Sequence, residues 1–159
     1  MRSINLQSLC QAYKHLSNEQ FHQYINVFGF ELSKQQEIED LCFFIEVLHY
    51  NLESLPKLDG FYVGYKIPQI SKEFDLLRLG HNFFLNIEVK HTSTFDKIEK
   101  QLKENSYYLK AVSSEVHVFT FVVDTQKIYT LDNNGNLVET NLQELIYYIQ
   151  EQDVKKEAD

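Results

Sequence analysis

The chain has 159 residues, about one domain's worth, with 43% hydrophobic and 24% charged side chains, a balance that excludes wholesale disorder. Its 12 Phe and 10 Tyr supply core bulk without any Trp, and only 5 Gly and 2 Pro exclude a collagen-like or linker-rich chain. The net charge of −8 argues against a membrane-surface binder or a general nucleic-acid coat held by bulk charge.

That charge is uneven. Basic against acidic residues number 3 to 7 over 1–56, 9 to 7 over 57–110 and 3 to 9 over 111–159, so only the middle third does not repel a polyanion. Cys10 and Cys42 fall in apolar helical patterns and read as reduced core thiols of a cytoplasmic protein. The first seven residues lack an apolar signal core, and no apolar run approaches the roughly 18 residues of a membrane span. Neither secretion nor membrane insertion is expected.

In chain order, residues 1–56 read as a helical part of the same domain, 57–151 as an α/β core and 152–159 as a polar, frayed tail. Ile4 to Leu16 is a weakly periodic helix. Ser17 with Gln20 forms a capping-box start for a helix through about Val27, and Ser33 with Gln36 repeats it before the stripe Ile38, Leu41, Cys42, Ile45, Leu48. Strands are predicted at Phe61–Ile67, Glu73–Leu79 and Phe83–Lys90. Ser93 or Thr94 caps a long helix to about Ala111, with Phe95, Ile98, Leu102 and Leu109 on its apolar face. Strands at Val116–Val123, Lys127–Leu131 and Leu137–Thr140 precede a closing helix from Asn141 to Gln150. The order implies an α/β fold with a mixed sheet.

A turn at Gly80-His81-Asn82-Phe83, with Asn82 accepting φ > 0, sets the second and third strands so that Asp75 opposes Glu88 and Glu73 opposes Lys90. Phe74, Leu76, Leu85, Ile87 and Val89 then share the core face. Two carboxylates directly across a strand pair repel by a few tenths to ~1 kcal/mol. A divalent cation, Mg²⁺ or Mn²⁺, is the simplest offset, bound by Asp75 and Glu88 with water and a substrate phosphate completing the shell. Lys90, two residues from Glu88, is placed to stabilise charge on a pentavalent phosphate or to orient an attacking water. The plainer alternative is a solvated polar face on an edge hairpin.

Phe74-Asp75-Leu76-Leu77, twelve residues between Asp75 and Glu88, then Glu88-Val89-Lys90 and a following helix together resemble the PD-(D/E)XK nuclease superfamily, restriction-endonuclease-like domains of bacteria and phages. Phe74 stands where the motif's name has Pro. The resemblance implies an αβββαβ core preceded by extra N-terminal helices, with Asp75 and Glu88 as metal ligands and Lys90 as the catalytic lysine. It also implies DNA as substrate, without excluding RNA, in a defence or repair setting, beside an ATPase or helicase partner or as a homodimer. Gln101 and Tyr108 match the Gln and Tyr of RecB-like branches at a longer spacing, against ordinary helix-flank packing. Glu46 matches an acid on the first core helix, against a solvated flank, and Glu73, on the Asp75 face, is a further candidate accessory ligand.

His91, directly after Lys90, could touch phosphate or a leaving group, or be a loop residue. The six histidines give no zinc spacing, and no serine-hydrolase elbow or nucleotide-binding glycine loop occurs. Lys97, Lys100 and Lys103 climb one helix face and read either as solvated or as phosphate contacts. Tyr62, Tyr65, Tyr107 and Tyr108 read as core or as base-stacking rings. The expected activity is a metal-dependent deoxyribonuclease, most simply an endonuclease. The alternative is a nuclease-like fold kept as a binding or dimerising module.

Overall fold

The computed structural model describes residues 1–32, 34–50 and 56–156. Helix α1 (Leu6–His15) is capped by Asn5, whose side chain accepts from the N–H groups of Gln7 and Ser8. Helix α2 (Asn18–Phe28) opens on the expected Ser17–Gln20 capping box and stops at Gly29 in the left-handed conformation. Helix α3 (Gln35–Tyr50) buries the expected stripe together with Phe44, while Ser33 of its expected capping box lies outside the described residues. Cys10 and Cys42 are free and buried where α1 and α3 pack.

Strands β1 (Phe61–Ile67), β2 (Lys72–Leu79), β3 (Phe84–Lys90), β4 (Val116–Val122), β5 (Lys127–Leu131) and β6 (Leu137–Thr140) form one six-stranded sheet in that order. Neighbours are antiparallel except β3 and β4, which run parallel. Parallel neighbours need a long crossover, and α4 (Phe95–Lys110) supplies it. Helix α5 (Leu142–Glu151) closes the fold. The α/β class and mixed sheet match expectation.

Both faces of the sheet are covered. Val63, Leu76, Leu85, Ile87, Phe119 and Phe121 pack against α1, α2, α3 and α5 on one side. Phe74, Leu77, Phe84, Val118 and Val122 pack against Ile98, Leu102 and Leu109 of α4 on the other. A strand buried on both faces reads as nearly continuous apolar sequence, so polar residues inside β3 must find partners within the protein. Phe95, expected on the apolar face of α4, is 66% exposed and meets the ring of Tyr129 edge-on, because it lies in the first helical turn. No helix among the described residues is long and apolar enough to cross a membrane.

Three expectations need correction. Phe74 faces α4, opposite to Leu76, Leu85 and Ile87. The faces exchange at Gly64 and Asp75: Val63 and Leu76 point one way, Tyr65 and Phe74 the other, and Gly64 sits at φ +63°, which breaks strand alternation. At the hairpin tip neither His81 nor Asn82 is among the positive-φ residues. Asn82 acts through its side chain, accepting from Phe83 N–H and Asp153 N–H and donating to the Glu151 carbonyl.

The third correction concerns the polar tail, which docks as far as it is described. Arg78, 1% exposed on β2, lies over the Phe61 ring with its guanidinium 4.7 Å from the centroid. It donates to Gln152 Oε1 at 2.7 Å, to the carbonyls of Lys57 and Asp59 at 3.0 and 3.2 Å, and to that of Ile149 at 2.6 Å. Burial lowers its pKa to about 10. Gln152 also donates to the carbonyls of Arg78 and Phe83, both at 2.8 Å, and Lys155 N–H bonds the Leu79 carbonyl. A buried cation needs acceptors, and the segment after α5 provides one.

Candidate functional site

Alternate residues of β3, Asn86, Glu88 and Lys90, line up on the face toward α4. On α4, Gln101 and Asn105 are one turn apart and reach down to them. Gln101 Nε2 donates to Glu88 Oε1 at 2.8 Å, and Asn105 Nδ2 donates to Asn86 Oδ1 at 2.8 Å. Asn86 Nδ2 in turn donates to Glu88 Oε2 at 2.8 Å and to the Leu76 carbonyl at 3.0 Å. Glu88 is 0% exposed.

The β2–β3 ladder keeps the expected register from Leu76↔Ile87 to Leu79↔Phe84. One step further, where Asp75 and Glu88 would face each other, side chains replace backbone pairing. Asp75 N–H donates to Glu88 Oε2 at 2.9 Å, and Val89 N–H donates to Asp75 Oδ2 at 3.0 Å. The opposition of Glu73 and Lys90 is not formed. Glu73 pairs with Lys66 on β1, and Lys90 with Val122 on β4.

The repulsion between the two carboxylates is answered within the chain. Lys90 Nζ lies 3.5 Å from Asp75 Oδ2 and 3.8 Å from Glu88 Oε1. Burial, and then the charge of Asp75, push the Glu88 pKa up to about 8, while Asn86, Lys90 and the Asp75 N–H pull in the other direction.

Asp75 and Lys90 open onto a cleft of about 260 Å³ that is also lined by Glu73, Gln36, Asp40 and His91. Asp40, on α3, is 7% exposed and accepts at Oδ1 from Gln36 Nε2 at 2.8 Å and from His91 Nδ1 at 2.9 Å. On the other side of Lys90 lies a groove of about 430 Å³ lined by Lys72, Lys97, Lys100, Gln101 and Glu104. Lys90 belongs to both. Within this groove Lys72 is paired with Glu104 at 3.5 Å.

No family model, curated protein or solved structure matches this chain.

Four of the expected residues, Asp75, Glu88, Lys90 and Gln101, form one connected cluster, and Glu73 and His91 border the adjoining cleft. Glu46 is elsewhere, pairing with Lys14 at 3.5 Å beside Cys10, Cys42 and His49. The acids that α3 turns toward the cleft are Glu37 and Asp40, nine and six positions earlier. Tyr108 packs edge-on against Tyr107, and the helix position that meets the strand is Asn105. Lys97 and Lys100 share the groove with Lys90, whereas Lys103 pairs with Glu99 at 3.5 Å. Tyr62 and Tyr65 meet each other edge-on beside the α4-side core.

Three members were missed by sequence reasoning: Asp40, Asn86 and Asn105. Asn86 carried a signal, as a polar residue two before Glu88 in an otherwise apolar strand. Asn105, four after Gln101, shares its helix face. Among the described residues no group of three or more His, Cys, Asp or Glu side chains is placed to hold a metal ion.

Proposed function

We propose that the chain is a metal-dependent nuclease acting on DNA phosphodiester bonds, with Asp75, Glu88 and Lys90 as its reacting groups. The observation that carries this is the convergence of Asp75 Oδ2 and Glu88 Oε1 on one positive charge, Lys90 Nζ, at 3.5 and 3.8 Å beside an open cleft. Carboxylate oxygens gathered around a cation are the donor set that Mg²⁺ or Mn²⁺ takes, with the remaining positions left to water and phosphate. A bound divalent ion would supply Lewis-acid polarisation of the phosphate. Lys90, at the junction of cleft and groove, donates to a phosphoryl oxygen as negative charge builds there. Gln101 holds the Glu88 carboxylate in orientation, and Lys97 and Lys100 attract the neighbouring backbone phosphates. The order α3-β1-β2-β3-α4-β4, with its parallel β3–β4 pair across α4, agrees with a restriction-endonuclease-like core.

A second reading is a nuclease-like binding or dimerising module in a larger nucleic-acid-processing assembly. It is favoured by the fact that Lys90 already balances the carboxylates and that Glu88 accepts three hydrogen bonds.

Incubating plasmid, linear duplex, single-stranded DNA and RNA with Mg²⁺, Mn²⁺ or EDTA separates the two. The nuclease reading expects cleavage with metal alone and its abolition in Asp75→Asn. Lys90→Ala should lower single-turnover cleavage by ~10²–10³-fold, the cost of one preorganised electrostatic group. Lys90→Arg should not restore it, since a planar fork does not replace a compact ammonium. Cleavage that persists unchanged in Lys90→Ala removes this reading, and binding without cleavage establishes the second.

A further inference from the structure

Asp40 and His91 are left over when the nuclease cluster has been assigned. They come from different elements, α3 and the residue after β3, and meet at 2.9 Å on the wall of the cleft that contains Asp75 and Lys90. A carboxylate only accepts, so the His91 ring must turn its Nδ1 proton toward Asp40 Oδ1. That fixes the ring's orientation and directs Nε2 away from Asp40. Asp40 is nearly buried and is steadied by Gln36, whereas the His91 side chain is 55% exposed. An inner carboxylate orienting an outer imidazole is the arrangement that holds an imidazolium ready for an anion.

We infer that His91, oriented by Asp40, is a phosphate-binding residue of the cleft, donating Nε2–H to a non-bridging oxygen of a polynucleotide phosphate next to the one met by Lys90. The inference rests on the nuclease reading for the identity of the polyanion, but not on cleavage. Lys34 and Lys90 are the other cations of this cleft; Glu37, Glu73 and Asp75 are its other acids. A bare acidic wall would repel phosphate, and the pairing of Asp40 with His91 turns one of its acids into the support of a cation. Asp40 first, and Asp124 from the loop after β4, raise the His91 pKa. The imidazolium is therefore present at lower pH and is lost as pH rises through that raised value.

The test is fluorescence anisotropy of a labelled oligothymidylate, whose bases do not titrate in this range, in EDTA from about pH 5.5 to 8.5. Wild type should bind roughly ten-fold more weakly at the upper end, the loss expected of one charge-assisted hydrogen bond. His91→Gln, which keeps a donor for Asp40 but no charge, should bind weakly and with a much smaller fall, the remainder being the release of the Glu88 proton near the upper end. Asp40→Asn should move the break to lower pH, since the carboxylate that favours the imidazolium has gone. The melting temperature of His91→Gln should stay near wild type. If both variants bind and titrate as wild type does, or shift only the melting temperature, the pair is a structural latch and the inference fails. It also fails if wild type binds no oligothymidylate at any pH. A His91-dependent break in a protein that cleaves nothing with Mg²⁺ or Mn²⁺ upholds the inference and rejects the nuclease reading.

Discussion

Glu88 receives three hydrogen bonds, from Gln101, Asn86 and the Asp75 backbone, yet it is sealed from solvent and lies next to a second carboxylate. Its folded pKa of about 8 stands well above the ordinary 4.5. Between those values the folded chain holds a proton that the unfolded chain has released. Stability from this group is therefore complete below the lower value and is lost as pH rises toward the upper one. In EDTA the melting temperature of wild type should fall across this window, and that of Glu88→Gln should fall less because an amide does not titrate. At acid pH the variant should be weaker by ~1–3 kcal/mol, since its NH₂ must face one of the existing donors. Parallel pH profiles for the two proteins would place Glu88 among ordinary carboxylates. Of this residue's surroundings, strand alternation and turn spacing showed Asp75 and Lys90, and Gln101 was indicated by the resemblance to RecB-like nucleases. Asp40 was not visible, since its partner His91 is 51 positions away and nothing local marks the pair.

Helix α4 is fastened to the sheet by two kinds of contact. Ile98, Leu102 and Leu109 bury apolar surface on Leu77, Phe84, Val118 and Val122, each such side chain adding ~1.5–3 kcal/mol. Beside them runs the polar seam from Asn105 through Asn86 and Glu88 to Gln101. Two buried oxygens on or beside this seam, Asn105 Oδ1 and Thr120 Oγ1, have no hydrogen-bond partner among the described residues. Thr120 sits on β4 across from Glu88. Thr120→Val keeps its shape and removes the unpaired hydroxyl, so it should raise stability by up to ~1 kcal/mol, read as a higher melting temperature. A fall would mean that the hydroxyl is bonded in solution. The element boundaries were legible because capping residues and apolar periods act within one segment. The reversal of Phe74 was not, because its cause, Gly64 in a left-handed conformation, stands on the neighbouring strand.

At the scale of the molecule, the three layers follow from the order of helices and strands, and the α/β class was legible for that reason. The docking of the polar tail was not. A Gln in a charged stretch gives no hint that it will satisfy a guanidinium 74 residues earlier. Gln152→Ala strips Arg78 Nε of its acceptor and the carbonyls of Arg78 and Phe83 of their donor. It should cost ~1.5–3 kcal/mol, the range for a hydrogen bond to a charged group, and lower the urea midpoint. An unchanged midpoint would mean that the tail is dispensable. The same stitch imposes a schedule on synthesis. Arg78 is made 74 residues before Gln152, an interval of about 4–15 s at the usual rates of translation. Through that time the guanidinium has the Lys57 and Asp59 carbonyls and the Phe61 ring, all made before it, but its Nε and second terminal nitrogen still lack Gln152 and Ile149. A ribosome-bound chain stopped short of Gln152 therefore carries a half-satisfied guanidinium at the end of β2, and that end of the sheet is completed only after translation has passed that point.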